Sequence, residues 1–134
     1  MTYTASTRDI TSRFIHTLQK TEETGDIESL VALFSSNAEL MNLATLEPLK
    51  GKEGAYRFWQ KYLFVFNHIH SEFTNIVESE NTSVLEWVSK GTLSTSEEIT
   101  YRGISVLEFD GENVKRFRTY YDSAAFLPQG AKHG

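Results

Sequence analysis

Few side chains in this 134-residue chain have the type and spacing for chemistry. His68 and His70 form an H-x-H in a segment that reads as a strand, so the two imidazoles share one face. Histidine is a common general base. Glu86 lies on the next strand. Facing an apolar interior, it would have its charged form disfavoured and its pKa raised toward general-base range. Facing solvent, it is an ordinary sheet glutamate or a partner for Arg102 on the neighbouring strand. His70 meeting Glu86 inside would make an acid/base dyad, and these two are the candidate catalytic residues. With His68 they also have the composition of a two-His-one-carboxylate metal site. The competing reading of the histidine pair, at a helix-to-strand junction, is plain surface. Lys115, Arg116 and Arg118 form a basic run, and on a sheet such positions usually carry solvated or interface charge.

Composition narrows the classes. The chain has no cysteine, which excludes a disulfide framework, a thiolate zinc site and a cysteine nucleophile. Thirteen Lys+Arg against 18 Asp+Glu give a net charge of −5, which argues against nonspecific nucleic-acid binding. The longest apolar run, Tyr62 to Phe66, is far short of the ~20 residues that cross a bilayer. Met1 to Arg13 has no apolar h-region, so a cytoplasmic protein without a membrane partner is expected. No P-loop, dinucleotide fingerprint, GxSxG or HExxH is present, and neither a cofactor nor a metal is expected. What stands out is 17 aromatics, six of them between Tyr56 and Phe66.

The elements that must position these residues are legible in outline. Ser6 and Asp9 resemble a capping box for a helix running to about Thr24. Ile10, Phe14, Leu18 and Thr21 form its apolar stripe. Gly25 stops it, and Asp26 caps a second helix over Ile27 to Phe34. Ser35-Ser36-Asn37 ends that helix, and Ala38 to Leu43 is a short strand candidate. A third helix runs from near Lys52 to Phe64 or Val65, with Ala55, Phe58, Trp59, Tyr62 and Phe66 on its stripe. Four strands follow: Ile69–Glu78, Val84–Leu93, Ile99–Phe109 and Val114–Tyr121, with Asp110-Gly111 as a hairpin turn. One domain spans 1–134, with its core over about 8–127 and a flexible tail over 128–134. Helices first and an antiparallel meander second mean α+β, with room for a hollow between the layers.

This order, with Thr24-Gly25-Asp26-Ile27-Glu28, Gly51-Lys52-Glu53-Gly54, Val84-Leu85-Glu86-Trp87, the stretch from Gly103 to Gly111 and Phe117 to Asp122, resembles the nuclear transport factor 2-like superfamily, in particular SnoaL-like domains. The resemblance implies a cone-shaped fold: three N-terminal helices on a curved, mostly antiparallel sheet, with a central pocket, usually in a dimer. It does not imply one activity. Steroid-isomerase relatives carry a tyrosine where Leu18 falls, a general-base aspartate where Asn42 falls and a protonated aspartate where Ser105 falls. Cyclase and epoxide-hydrolase relatives carry an acid/base aspartate where Thr119 falls, and the hydrolases an Arg-x-Asp where Glu86-Trp87-Val88 falls. The carboxylates of both mechanisms are missing. Asp122 lies nearby, on the opposite face from Thr119 by strand alternation, and is a reserve candidate that a register slip of one would bring inward.

By that resemblance Phe117, Thr119 and Tyr121 face the pocket, with Lys115 near them. Tyr101 and Ser105 face it from the preceding strand, and Glu86 and Val88 from the strand before. Phe14, Leu18, Phe58 and Tyr62 complete the lining from the helices, and Asn42 from the first strand. Trp87, Ile104, Val106 and Tyr120 are expected on the outer face, where an uncovered apolar patch predicts a homodimer. Trp87 packing under Phe126 is the alternative. The expected function is binding or converting a small hydrophobic molecule, by isomerase-, cyclase- or dehydratase-type proton transfer if catalytic. A noncatalytic ligand-binding module and a dimeric interaction domain are the alternatives.

Overall fold

The computed structural model describes residues 6–127. The predicted tail, 128–134, lies outside the described residues. Helix α1 spans Thr7–Thr24, and its N-terminus is closed by the reciprocal Ser6–Asp9 capping box. Such a box satisfies two of the amide groups a helix start leaves orphaned. Gly25 ends α1 at φ 80°, in the left-handed region. Asp26 then caps α2, Ile27–Val31, by accepting from the Ser29 amide. Helix α3 spans Gly51–Phe64.

Six strands form one sheet in the order β2-β1-β6-β5-β4-β3. Their ranges are β1 Phe34–Asn42, β2 Leu49–Lys50, β3 Phe66–Glu78, β4 Thr82–Leu93, β5 Glu98–Asp110 and β6 Asn113–Tyr121. All neighbours are antiparallel except β1 and β6, which run parallel. The architecture is the expected α+β cone: three helices against a curved, mostly antiparallel sheet.

The second helix is shorter than predicted. Phe34 to Asn37 belong to β1, not to a helix end. The cause is long-range. Phe34 pairs with Val114 on β6, and the Val114 amide donates to the Leu33 carbonyl at 2.8 Å. Local periodicity carries no information about that partner. The two-residue β2 follows Pro48 and pairs with Glu39 and Leu40.

The core has two parts. The larger joins Ile10, Phe14 and Leu18 of α1 to Leu30, Phe34, Leu40, Phe58, Trp59, Leu107 and Phe117. The second gathers Ile69, Trp87, Ile99 and Tyr101, with Phe66, Tyr121 and Phe126 against them. Phe126 reaches it from a short 3-10 turn, Ser123–Phe126, capped by the Asp122 carboxylate. Tyr62 and Phe73 touch both parts. Between the two lies a cavity.

Candidate functional site

The cavity floor is built from rows that run across the sheet. Strand alternation sends every second side chain inward, and pairing sets which of them stand side by side. One row is Ser71, Ser89 and Tyr101, on β3, β4 and β5. The next is Phe73, Trp87, Gly103 and Tyr121. A third is Leu85, Ser105, Thr119 and Asn42. Helices α1 and α3 close the space with Phe14, Leu18, Phe58, Trp59 and Tyr62. The result holds about 410 Å³. The lining includes Phe14, Leu18, Asn42, Phe58, Tyr62, Tyr101, Ser105, Phe117, Thr119 and Tyr121, while Glu86, Val88 and Lys115, expected beside them, are not part of it. Trp59, Phe66 and Phe126, read from sequence as packing, line it as well.

Strand β4 runs in the opposite phase from the one predicted. Ser83, Leu85, Trp87 and Ser89 point inward, while Glu86 is exposed. Glu86 accepts from the Asn75 side chain at 3.0 Å on the outer surface. It does not reach the cavity, nor does His70, which is exposed and contacts Glu72 at 2.7 Å. Their sheet partners also differ: His70 pairs with Lys90 and Glu86 with Asn75. The Glu86–His70 dyad is therefore not assembled. The physical reason is that β4 has two balanced faces. Its outer face carries Val84 and Val88, while its inner face carries two serines. Those serines tolerate burial because each has a hydroxyl partner: Ser83 has Thr11 at 2.5 Å and Ser89 has Ser71 at 2.6 Å.

Trp87 is thus an inner residue, 7% exposed, and not part of an outer patch. Its indole packs edge-on to Tyr101 at 5.3 Å and donates to Ser105 Oγ at 2.9 Å. Ser105 in turn shares a proton with Thr119 at 2.9 Å. Asn42 spends its side-chain oxygen on the amides of Ala44 and Thr45, at 2.8 and 3.2 Å. Asn42 is itself part of the cavity lining. Lys115 is exposed and does not join the inner set, since a register shift after Glu108 turns Val114 inward instead. Asp122 is spent on its cap.

The residue that sequence reasoning missed is Glu22. It is 8% exposed and sits directly behind two lining residues, Tyr62 and Ser71. It accepts from the Tyr62 hydroxyl at 2.5 Å, the Ser71 hydroxyl at 2.6 Å and the Ser71 amide at 2.8 Å. The signal was present. Glu22 stands four residues after Leu18, on the buried stripe of α1.

The phenols around this carboxylate hold their protons tightly. Burial raises the pKa of Tyr62 well above its usual value, helped by the neighbouring Tyr101 and Glu22. Burial does the same for Tyr101, with Tyr121 and Glu22 adding to it. Burial alone raises Tyr121. An unfolded tyrosine ionises near pH ~10, while these three stay protonated in the fold. The stability this provides is complete below that pH and is lost as pH rises through the folded values. A phenolate-absorbance titration is expected to show these three ionising only as near-ultraviolet circular dichroism collapses. Reversible ionisation of all tyrosines with the fold intact would contradict this.

Comparison with known proteins follows the same lines. The family model described as SnoaL-like domain matches residues 12–117. No curated protein matches the chain in sequence. An NTF2-like protein from Anabaena variabilis superposes with a TM-score of 0.82 at 17% identity, over 93% of this chain and 96% of that one. A protein of ketosteroid isomerase-like fold from Catenulispora acidiphila, solved in complex with trimethylamine, superposes at 0.76 with 15% identity, over 88% and 92%. TerC, co-crystallised with polyporic acid, superposes at 0.74 with 13% identity, over 89% and 93%. At these identities the likeness is one of fold.

Proposed function

The chain belongs to the SnoaL-like domain family, and from that premise we propose that its cavity binds a small, mainly hydrophobic molecule. The observation that carries this is the cavity itself: about 410 Å³, walled by aromatic rings, with most of its polar groups in two small sets. That is the size and chemistry of a small-ligand site. One set is Tyr62, Ser71, Ser89 and Tyr101. The other is the Trp87 indole with Ser105, Thr119 and Asn42. Among the described residues no carboxylate or imidazole is in the lining, which favours binding over catalysis. Glu22 supports a second reading, proton transfer of the isomerase, cyclase or dehydratase type. In it the carboxylate acts through Tyr62, and the Trp87–Ser105–Thr119 set polarises the substrate oxygen.

The outer sheet face supports a homodimer in the cytoplasm. Ile104 and Tyr120 are cross-strand partners there, and both remain about two-fifths exposed (41% and 40%). The absence of cysteine fits that compartment. Among the described residues no helix is long and apolar enough to cross a membrane.

An amide-resolved NMR screen of aromatic fragments tests the pocket. Bound fragments are expected to shift Tyr101, Ser105 and Thr119, and to bind His70→Ala and Glu86→Gln variants as they bind wild type. Shifts confined to the outer face would overturn the pocket reading. Sedimentation equilibrium of the same sample showing only monomer would overturn the dimer.

A further inference from the structure

Glu22 is a buried carboxylate without a cation. Among the described residues none of the ion pairs involves it. Its three hydrogen bonds all come to it from donors, two from Ser71 and one from Tyr62. A carboxyl group that only accepts is satisfied as the anion. That charge sets the direction of every hydroxyl nearby. Ser71 has one hydroxyl proton and gives it to Glu22, so in its 2.6 Å contact with Ser89 it accepts and Ser89 donates. The Tyr62 proton is likewise committed to Glu22. Tyr101 stands beside both Tyr62 and Ser89 and has a single proton to give. The hydroxyls of Tyr62, Ser71 and Ser89 therefore have lone pairs, not protons, left for a ligand.

Three features of the wall have the same sign. A negative charge lies directly behind it. Oxygen lone pairs cover it. Aromatic rings crowd it, with Phe66, Trp87 and Phe126 centred 6.2, 5.3 and 4.8 Å from the Tyr101 ring. Ring faces carry negative electrostatic potential and attract cations, most strongly when water is excluded. The cationic side chain of the lining, Lys61, is exposed to solvent, where its field is screened. The indole N–H of Trp59 has no partner but is fully buried, so it is closed to a ligand.

Resting on the pocket reading above, we propose that the cavity selects an amine in its protonated, monocationic form. Its N–H groups meet the lone pairs of Tyr62 and Ser89, and its apolar body lies among the rings. The Glu22 carboxylate supplies the countercharge from behind the wall.

Calorimetry with three probes of similar size and different charge tests this: phenethylammonium, phenethyl alcohol and phenylacetate. Wild type is expected to bind the ammonium about tenfold tighter than the alcohol, a ratio within reach of a desolvated cation–π contact plus charge-assisted hydrogen bonds. Phenylacetate is expected to bind weakest. Glu22→Gln, nearly isosteric, is expected to abolish the preference, bringing the ammonium and the alcohol to similar affinities. The wild-type series decides the matter even if that variant fails to fold. Alcohol bound as tightly as ammonium overturns the charge selection and leaves the pocket standing. Failure of all three to bind overturns the pocket and the selection together.

Discussion

Phe117→Ala is expected to destabilise the protein by about 3–5 kcal/mol, the range for removing a phenyl ring from a filled core. Phe117 is 3% exposed and lies where four other rings converge. Phe14 and Phe58 are centred 5.7 Å away, Trp59 5.1 Å and Phe34 6.4 Å. These rings come from α1, α3 and β1, so the substitution loosens the helices from the sheet at one point. Urea unfolding should show the loss at an unchanged slope, and melting should fall by roughly 10–20 °C for a domain of this size. A loss below about 1 kcal/mol would mean that the site collapses and the ring cluster is not the keystone its geometry implies. The same variant enlarges the cavity, so apolar fragments larger than those wild type accepts should enter it.

Gly103→Ala is expected to cost about 2–4 kcal/mol, from overpacking together with the loss of a buried hydrogen bond. Gly103 sits in the row between Trp87 and Tyr121. A Cβ there would stand 2.4 Å from the Tyr120 carbonyl oxygen and 2.6 and 2.8 Å from two Trp87 ring carbons. The glycine lets the indole lie across β5 and place its N–H on Ser105. A methyl group must lift the ring and break that contact. Stability and intrinsic tryptophan fluorescence should therefore change together. Pairing Gly103→Ala with Trp87→Leu removes the clashing ring, and the double variant should cost less than the two single losses added. Strict additivity would show that the backbone contact alone is responsible.

How much of this could be read beforehand differs by element. The α1 stripe and its capping box were legible, because a helix shows its buried face in a local period and its start in local polar residues. The inner faces of β5 and β6 were legible too. Strand alternation grouped Tyr101 with Ser105, and Phe117 with Thr119 and Tyr121, and the family resemblance said which group faces the pocket. Strand β4 was not legible. Valines flank Glu86 on one face, and serines stand at both ends of the Leu85–Trp87 pair on the other, so hydrophobicity alone favours neither phase. The candidate site inherited that error. Glu86 looked like the useful carboxylate because of its strand position, while Glu22 passed as an ordinary helical charge.

Sequence alone determined the periods: the three helices, the four strands of the meander and the turns between them, in a chain with 17 aromatics. It also determined the family, through the order of weak motifs along the chain. Only the tertiary structure decided which carboxylate lies behind the cavity wall. A strand's two faces are equivalent until a layer covers one of them. A buried polar group is acceptable only when distant partners arrive to satisfy it. Ser71 and Tyr62 come to Glu22 from 49 and 40 residues away. Their arrival holds a helix glutamate behind the cavity wall and leaves Glu86 on the surface.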